Sequence, residues 1–74
     1  MSKLPAVRPR DMVRVVQRLG FVLDRQRGSH AVYLRAADHR RVVIPMHSND
    51  LKPGTLRGLI SDLGLTPEEF SKRL

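Results

Sequence analysis

The stretch from Ser29 to Met46, SHAVYLRAADHRRVVIPM, decides the fold. Ser29 to Arg35 and Arg40 to Met46 are short runs rich in β-branched and aromatic residues, and Ala36 to His39 between them is a short hairpin connection. Closing Arg35 against Arg40 sets the register: Tyr33 faces Val42, Val32 faces Val43, Ala31 faces Ile44 and His30 faces Pro45. Strand alternation then puts Tyr33 and His30 on opposite faces, with Tyr33 towards the packed side. A slip of one residue would exchange the faces. In this register His30 and His47 share a face as diagonal neighbours, about 7 to 8 Å apart at the backbone.

Upstream, Phe21 to Arg27 reads as a further strand, so the middle of the chain is an antiparallel meander. Before it, Met12, Val13, Val16 and Leu19 form one stripe of a helix that Pro9 opens and Gly20 closes. After the meander, Leu56, Leu59, Ile60 and Leu63 give a second helical stripe that starts near Pro53 and stops at Gly64. Thr66, Pro67 and Glu69 then make a capping box for a short helix running to Leu74, with Leu65 and Phe70 placed as its hydrophobic staple. The expected class is α+β, in the order α-β-β-β-α(-α), as one domain over residues 1–74. Helices on both sides of the meander in sequence must cover one face of the three-stranded sheet, leaving the other to solvent or a ligand.

Charge is concentrated in the same half of the chain. The formal net charge is +7, and all of the excess lies in residues 1–41, where ten Lys and Arg meet only Asp11, Asp24 and Asp38. Nine of those ten cations are Arg, whose planar fork suits bidentate phosphate contacts, so nucleic acid is the leading partner. Arg10, Arg14 and Arg18 form a basic ridge on the first helix, whose ordinary meaning is a solvated face. Phe21, Tyr33 and Phe70 are the only aromatics, which leaves little for base stacking. With no cysteine, disulfides, thiolate metal sites and thiol nucleophiles are excluded. No apolar run is long enough for a membrane span or a secretory signal, so a cytoplasmic location is expected.

The sequence has no phosphate-cradling glycine loop, no paired His on a helix and no nucleophile elbow, so neither a cofactor nor a metal is expected. Three histidines remain, and imidazole both takes and gives a proton near neutral pH. His39 lies beside Asp38 in the hairpin and reads as a solvated turn residue. Gly28 and Ser29 make a tight turn that aims His30 at the start of a strand, which is either a displayed functional group or a plain hairpin corner. His47 is either a second functional imidazole or an edge residue bonding backbone before the second helix. Lys52, at the opening of that helix, is a weak candidate for binding phosphate.

Taken together, Gly28-Ser29-His30 with Tyr33, then Ile44-Pro45-Met46-His47, then Leu51-Lys52-Pro53-Gly54-Thr55-Leu56-Arg57 with Leu59-Ile60, resemble the HicA (YcfA-like) family of mRNA interferase toxins. Lys3-Leu4-Pro5 and Leu19-Gly20-Phe21 add to the likeness, which covers nearly the whole chain. The chain departs from the family at Arg8-Pro9, where a small polar residue often opens the first helix, and at Gly58, where a helix former or small polar residue is usual. The resemblance implies a fold like a double-stranded-RNA-binding domain, ribonuclease activity on mRNA, a catalytic His30 and neutralisation by a HicB-type antitoxin. For such chemistry, Arg25 or Arg27 is expected to stabilise charge near His30, and His47 is the candidate for a second proton carrier. Two other readings fit the residues: a non-catalytic RNA-binding module of the same fold, and a small basic domain that docks an acidic protein.

Overall fold

The computed structural model describes residues 4–47 and 49–74. Lys3, which opens the first of the family-like motifs, lies outside the described residues. The elements run α1 (Pro9–Arg18), β1 (Val22–Arg27), β2 (His30–Arg35), β3 (Arg40–Pro45), α2 (Pro53–Asp62) and α3 (Pro67–Ser71). The strands form one antiparallel sheet in the order β1-β2-β3, and α1 and α2 both pack on β3. This is the expected α+β arrangement with helices on one face of the sheet.

Hydrophobic burial explains that layering. Ala31 and Tyr33 of β2 and Val42 and Ile44 of β3 join Met12, Val15 and Val16 of α1 and Leu56, Leu59 and Ile60 of α2 in one core. The buried face of α1 includes Val15, which the expected stripe omits, while Val13 and Leu19 are only partly buried. A helix lying on a sheet covers a wider arc than one row of side chains, so its buried face follows i, i+3 and i+4 together. Phe21 stands just ahead of β1 and is buried, whereas every residue of β1 itself is exposed. β1 therefore overhangs the helices and is solvated on both faces.

Arg8 stands at the N-cap of α1 and its guanidinium cannot accept a hydrogen bond there. Asp11 compensates: its Oδ2 accepts the Arg8 backbone N–H at 3.1 Å and its Oδ1 accepts Arg14 Nη2 at 3.1 Å. At α3 the expected capping box is present, with Glu69 N–H donating to Thr66 Oγ1 at 3.2 Å and Thr66 N–H donating to Glu69 Oε1 at 2.9 Å. Those bonds hold the Glu69 carboxyl below its ordinary pKa. Phe70 is fully buried beneath this short helix, while α3 ends at Ser71, short of the expected Leu74.

The β2–β3 register agrees with the expected one, from Arg35 opposite Arg40 to His30 opposite Pro45. Two cations directly across a strand pair repel. Asp38, in the loop between them, resolves the conflict: Arg35 Nε and Nη2 donate to its two oxygens at 2.9 and 2.8 Å, and Arg40 Nε donates at 3.0 Å. Each guanidinium also reaches a helix C-terminus, where free carbonyls favour a cation. Arg35 Nη1 donates to Leu19 O at 2.9 Å, and Arg40 Nη1 donates to Asp62 O at 2.9 Å. The guanidinium of Arg35 further lies 4.6 Å from the centroid of the Phe21 ring. The hairpin is thereby fixed to the ends of both long helices.

Hydrogen bonding from Arg35, then the charges of Arg35 and Arg40, holds the Asp38 carboxyl well below the ordinary carboxylate range. A depressed carboxyl contributes stability above its unfolded pKa of about 3.9 and loses that contribution as pH falls towards the folded value. Asp38→Asn is expected to lower the thermal midpoint at pH 7 and to weaken the loss of stability on acidification below about pH 4, as followed by circular dichroism melts. Gly58 lies inside α2 with nothing within 4 Å of a Cβ built on it. Gly58→Ala is therefore expected to stabilise the chain by about 0.5 to 1 kcal/mol in chemical denaturation.

Candidate functional site on the open face of the sheet

Cross-strand partners share a face, so the register lists what the helix-free side of the sheet displays. Its three rows are Arg27, His30 and Pro45; then Arg25, Val32 and Val43; then Val22, Leu34 and Arg41. Asp and Glu are absent from these rows, which hold three arginines and one histidine. The nearest acidic residue in sequence, Asp24, sits in the β1 irregularity with Oδ2 4.0 Å from Arg25 Nε.

Two local devices create this arrangement. Gly28 and Ser29 connect β1 to β2 as a two-residue turn, with Gly28 at φ +55, the left-handed backbone required at the first central position of a type II′ turn. Arg27 is thereby paired with His30, and the Ser29 carbonyl accepts the Met46 N–H, tying the turn to the end of β3. The second device is the register shift between Leu23 and Arg25. With unbroken alternation from Leu23 opposite Tyr33, Arg25 would point to the helix side. The shift leaves Asp24 unpaired and sets Arg25 opposite Val32 on the open face.

His30 is exposed, and neither its ring nor Arg27 nor Arg41 makes a hydrogen bond or ion pair among the described residues. An imidazole beside a guanidinium without intramolecular partners, as in the row of His30 and Arg27, suits a phosphodiester: the ring can carry a proton and the guanidinium can take charge from phosphate oxygens. Among the described residues, no group of three or more His, Asp or Glu could hold a metal ion.

The sheet unites His30 with Arg25 and Arg27, and it places Gly28 and Ser29 at the turn that delivers them. It does not include His47. β3 ends at Pro45, and His47 lines a groove of about 270 Å³ with Arg8, Pro9, Arg10 and Met46 at the start of α1. The strand geometry that makes His47 a diagonal neighbour of His30 therefore stops short of it. Lys52 is the exposed N-cap residue of α2, away from the sheet rows. His39 is an exposed turn residue with φ 57. On α1, Arg14 is engaged by Asp11, and Arg18 Nη1 donates to Arg73 O at 3.3 Å, so much of the basic ridge serves the fold. Arg41 is the open-face cation that the sequence reading passes over. The signal for it is the expected register itself, continued one pair to Leu34 opposite Arg41.

Residues 9–65 match the family model described as the HicA toxin of bacterial toxin-antitoxin systems. The chain belongs to the HicA toxin family. The matched span of this HicA chain runs from the first residue of α1 to just beyond α2, and so contains all three open-face rows while omitting α3. Membership makes the chain the toxin of a toxin-antitoxin system, with an antitoxin as its partner. No curated protein matches this HicA sequence. Among the described residues, no helix is long and apolar enough to cross a membrane.

Proposed function

We propose that this HicA chain is a metal-independent endoribonuclease that cleaves mRNA in the cytoplasm, with His30 as its catalytic base, and that a HicB-type antitoxin neutralises it. The observation that carries the reading is the row of Arg27 and His30, with Arg25 in the next row, on the helix-free face of a HicA-family fold. The family is known for mRNA interferases, and the face offers what such chemistry requires.

RNA brings its own nucleophile. Neutral His30 takes the proton of a ribose 2′-hydroxyl, and the 2′-oxygen forms a bond to the adjacent phosphorus. The bond from phosphorus to the 5′-oxygen of the next nucleotide breaks, and that oxygen leaves with a proton. The products are a 2′,3′-cyclic phosphate and a 5′-hydroxyl. Arg27 and Arg25 take up the negative charge that grows on the phosphoryl oxygens in the transition state. The leaving oxygen draws its proton from water or from His47, the second proton carrier this mechanism admits. Gly28 and Ser29 shape the site through the turn, and Lys52 offers a peripheral phosphate contact at the start of α2.

Incubation of the purified chain with single-stranded RNA in the presence of a chelator is expected to give fragments ending in 2′,3′-cyclic phosphate. His30→Ala is expected to lower the rate by about 10² to 10⁴ with an unchanged circular dichroism spectrum. Cleavage undiminished in His30→Ala would remove the mechanism. RNA bound but left intact by the native chain would instead favour a non-catalytic RNA-binding module.

A further inference from the structure

We infer that Val22, Leu34 and Arg41, at the far end of the open face from His30, form a nucleotide-binding subsite for the RNA strand on which His30 acts. This deepens the proposed ribonuclease reading and rests on it. The row lies four residues along β2 from His30, about 13 Å at strand rise, which leaves room for the strand to continue past the cleaved bond.

The row is unusual for a protein surface. Val22 is 68% exposed and Leu34 is 37% exposed, side by side, with no helix above them. Between them and His30, Val32 is buried at 6% without belonging to the helix-side core, so the open face has an aliphatic floor of its own. Arg41 stands directly across from Leu34, with no hydrogen bond or ion pair among the described residues. A groove of about 780 Å³ adjoins the row, lined by Val22 and Leu34 and by the polar side chains of Asp24, Arg35, His39 and Arg40.

An apolar floor with a guanidinium at its rim matches a nucleotide: the flat face of a base covers aliphatic surface, and the charge and plane of Arg serve a phosphate or a second base face. Charge selects among occupants. A second copy of this chain would bring another +7 towards a face where Arg25, Arg27 and Arg41 outnumber the single carboxylate of Asp24, whereas a polynucleotide brings one negative charge per step.

Two readouts test this on sequence-randomised pools. In the first, DNA oligonucleotides carrying one ribonucleotide as the only cleavable position are compared as dinucleotide and as hexanucleotide with the ribonucleotide central. The native chain is expected to cleave the hexanucleotide with kcat/KM about tenfold above the dinucleotide or more. The double variant Leu34→Ser, Arg41→Gln is expected to lose that gain while cleaving the dinucleotide at the native rate. Arg41→Gln alone, which leaves the aliphatic floor intact, is expected to lose part of it, and melts confirm that both variants fold. In the second, fluorescence anisotropy with a fully 2′-O-methylated hexanucleotide reads binding without chemistry, and the double variant is expected to bind about tenfold more weakly.

Cleavage by the native chain with equal length dependence in the double variant would overturn the subsite and leave the ribonuclease reading standing. Loss of hexanucleotide binding in the variant, with no RNA cut by any form, would do the reverse. A double variant that cleaves and binds RNA as the native chain does but is no longer neutralised by the antitoxin would also overturn the subsite, and would make this row a protein-docking surface.

Discussion

Three side chains in one short hairpin govern the rest of the molecule. Arg35 and Arg40 oppose each other across β2 and β3, and the Asp38 carboxylate between them converts a repulsive pair into a bridge. Because side chains alternate along a strand, that closing pair dictates the face of every residue back to His30. A register one residue away would turn His30 inward and Tyr33 outward. The same two arginines reach the last carbonyls of α1 and α2, so the clamp that sets the register also seats the helices against the chosen face.

The helices reach only part of the sheet. They pack on β3, and β1 is left exposed along its length. The overhanging strand carries Arg25 and Arg27 at little structural expense, since both guanidiniums stay solvated. Its irregularity after Leu23 turns an unfavourable alternation into a favourable one, bringing both arginines to the side of His30. The order of layers thus separates two tasks: the apolar side holds the fold, and the cationic side is free to meet an anion.

Much of this was legible in the residues. The strands to within one residue at their ends, the stops of α1 and α2, the α3 capping box and the β2–β3 register follow from local signals, such as Gly20 and Gly64 after apolar stripes or Thr66 three residues ahead of Glu69. What escaped depends on tertiary context. The irregularity at Asp24 arises where the Gly28-Ser29 turn and the buried Phe21 fix both ends of β1 with one residue to spare, and no local pattern announces that surplus. Val15 joins the core because the sheet surface is broad. His47 lies two residues beyond the end of β3 at Pro45, where strand alternation alone no longer fixes its side. The role of Asp38 as the bridge between Arg35 and Arg40 becomes visible only once the loop is folded.

The central claim is that RNA meets the open face of the sheet, at His30 and its arginines, rather than the basic ridge of α1. NMR of the isotopically labelled chain titrated with a fully 2′-O-methylated RNA hexanucleotide tests this most directly, through the imidazole signals of His30 and the Nε–H signals of the arginines. The account predicts shifts at His30, Arg25, Arg27 and Arg41, with Arg14 and Arg18 unmoved. Shifts confined to Arg10, Arg14 and Arg18, with the His30 ring silent, would contradict it.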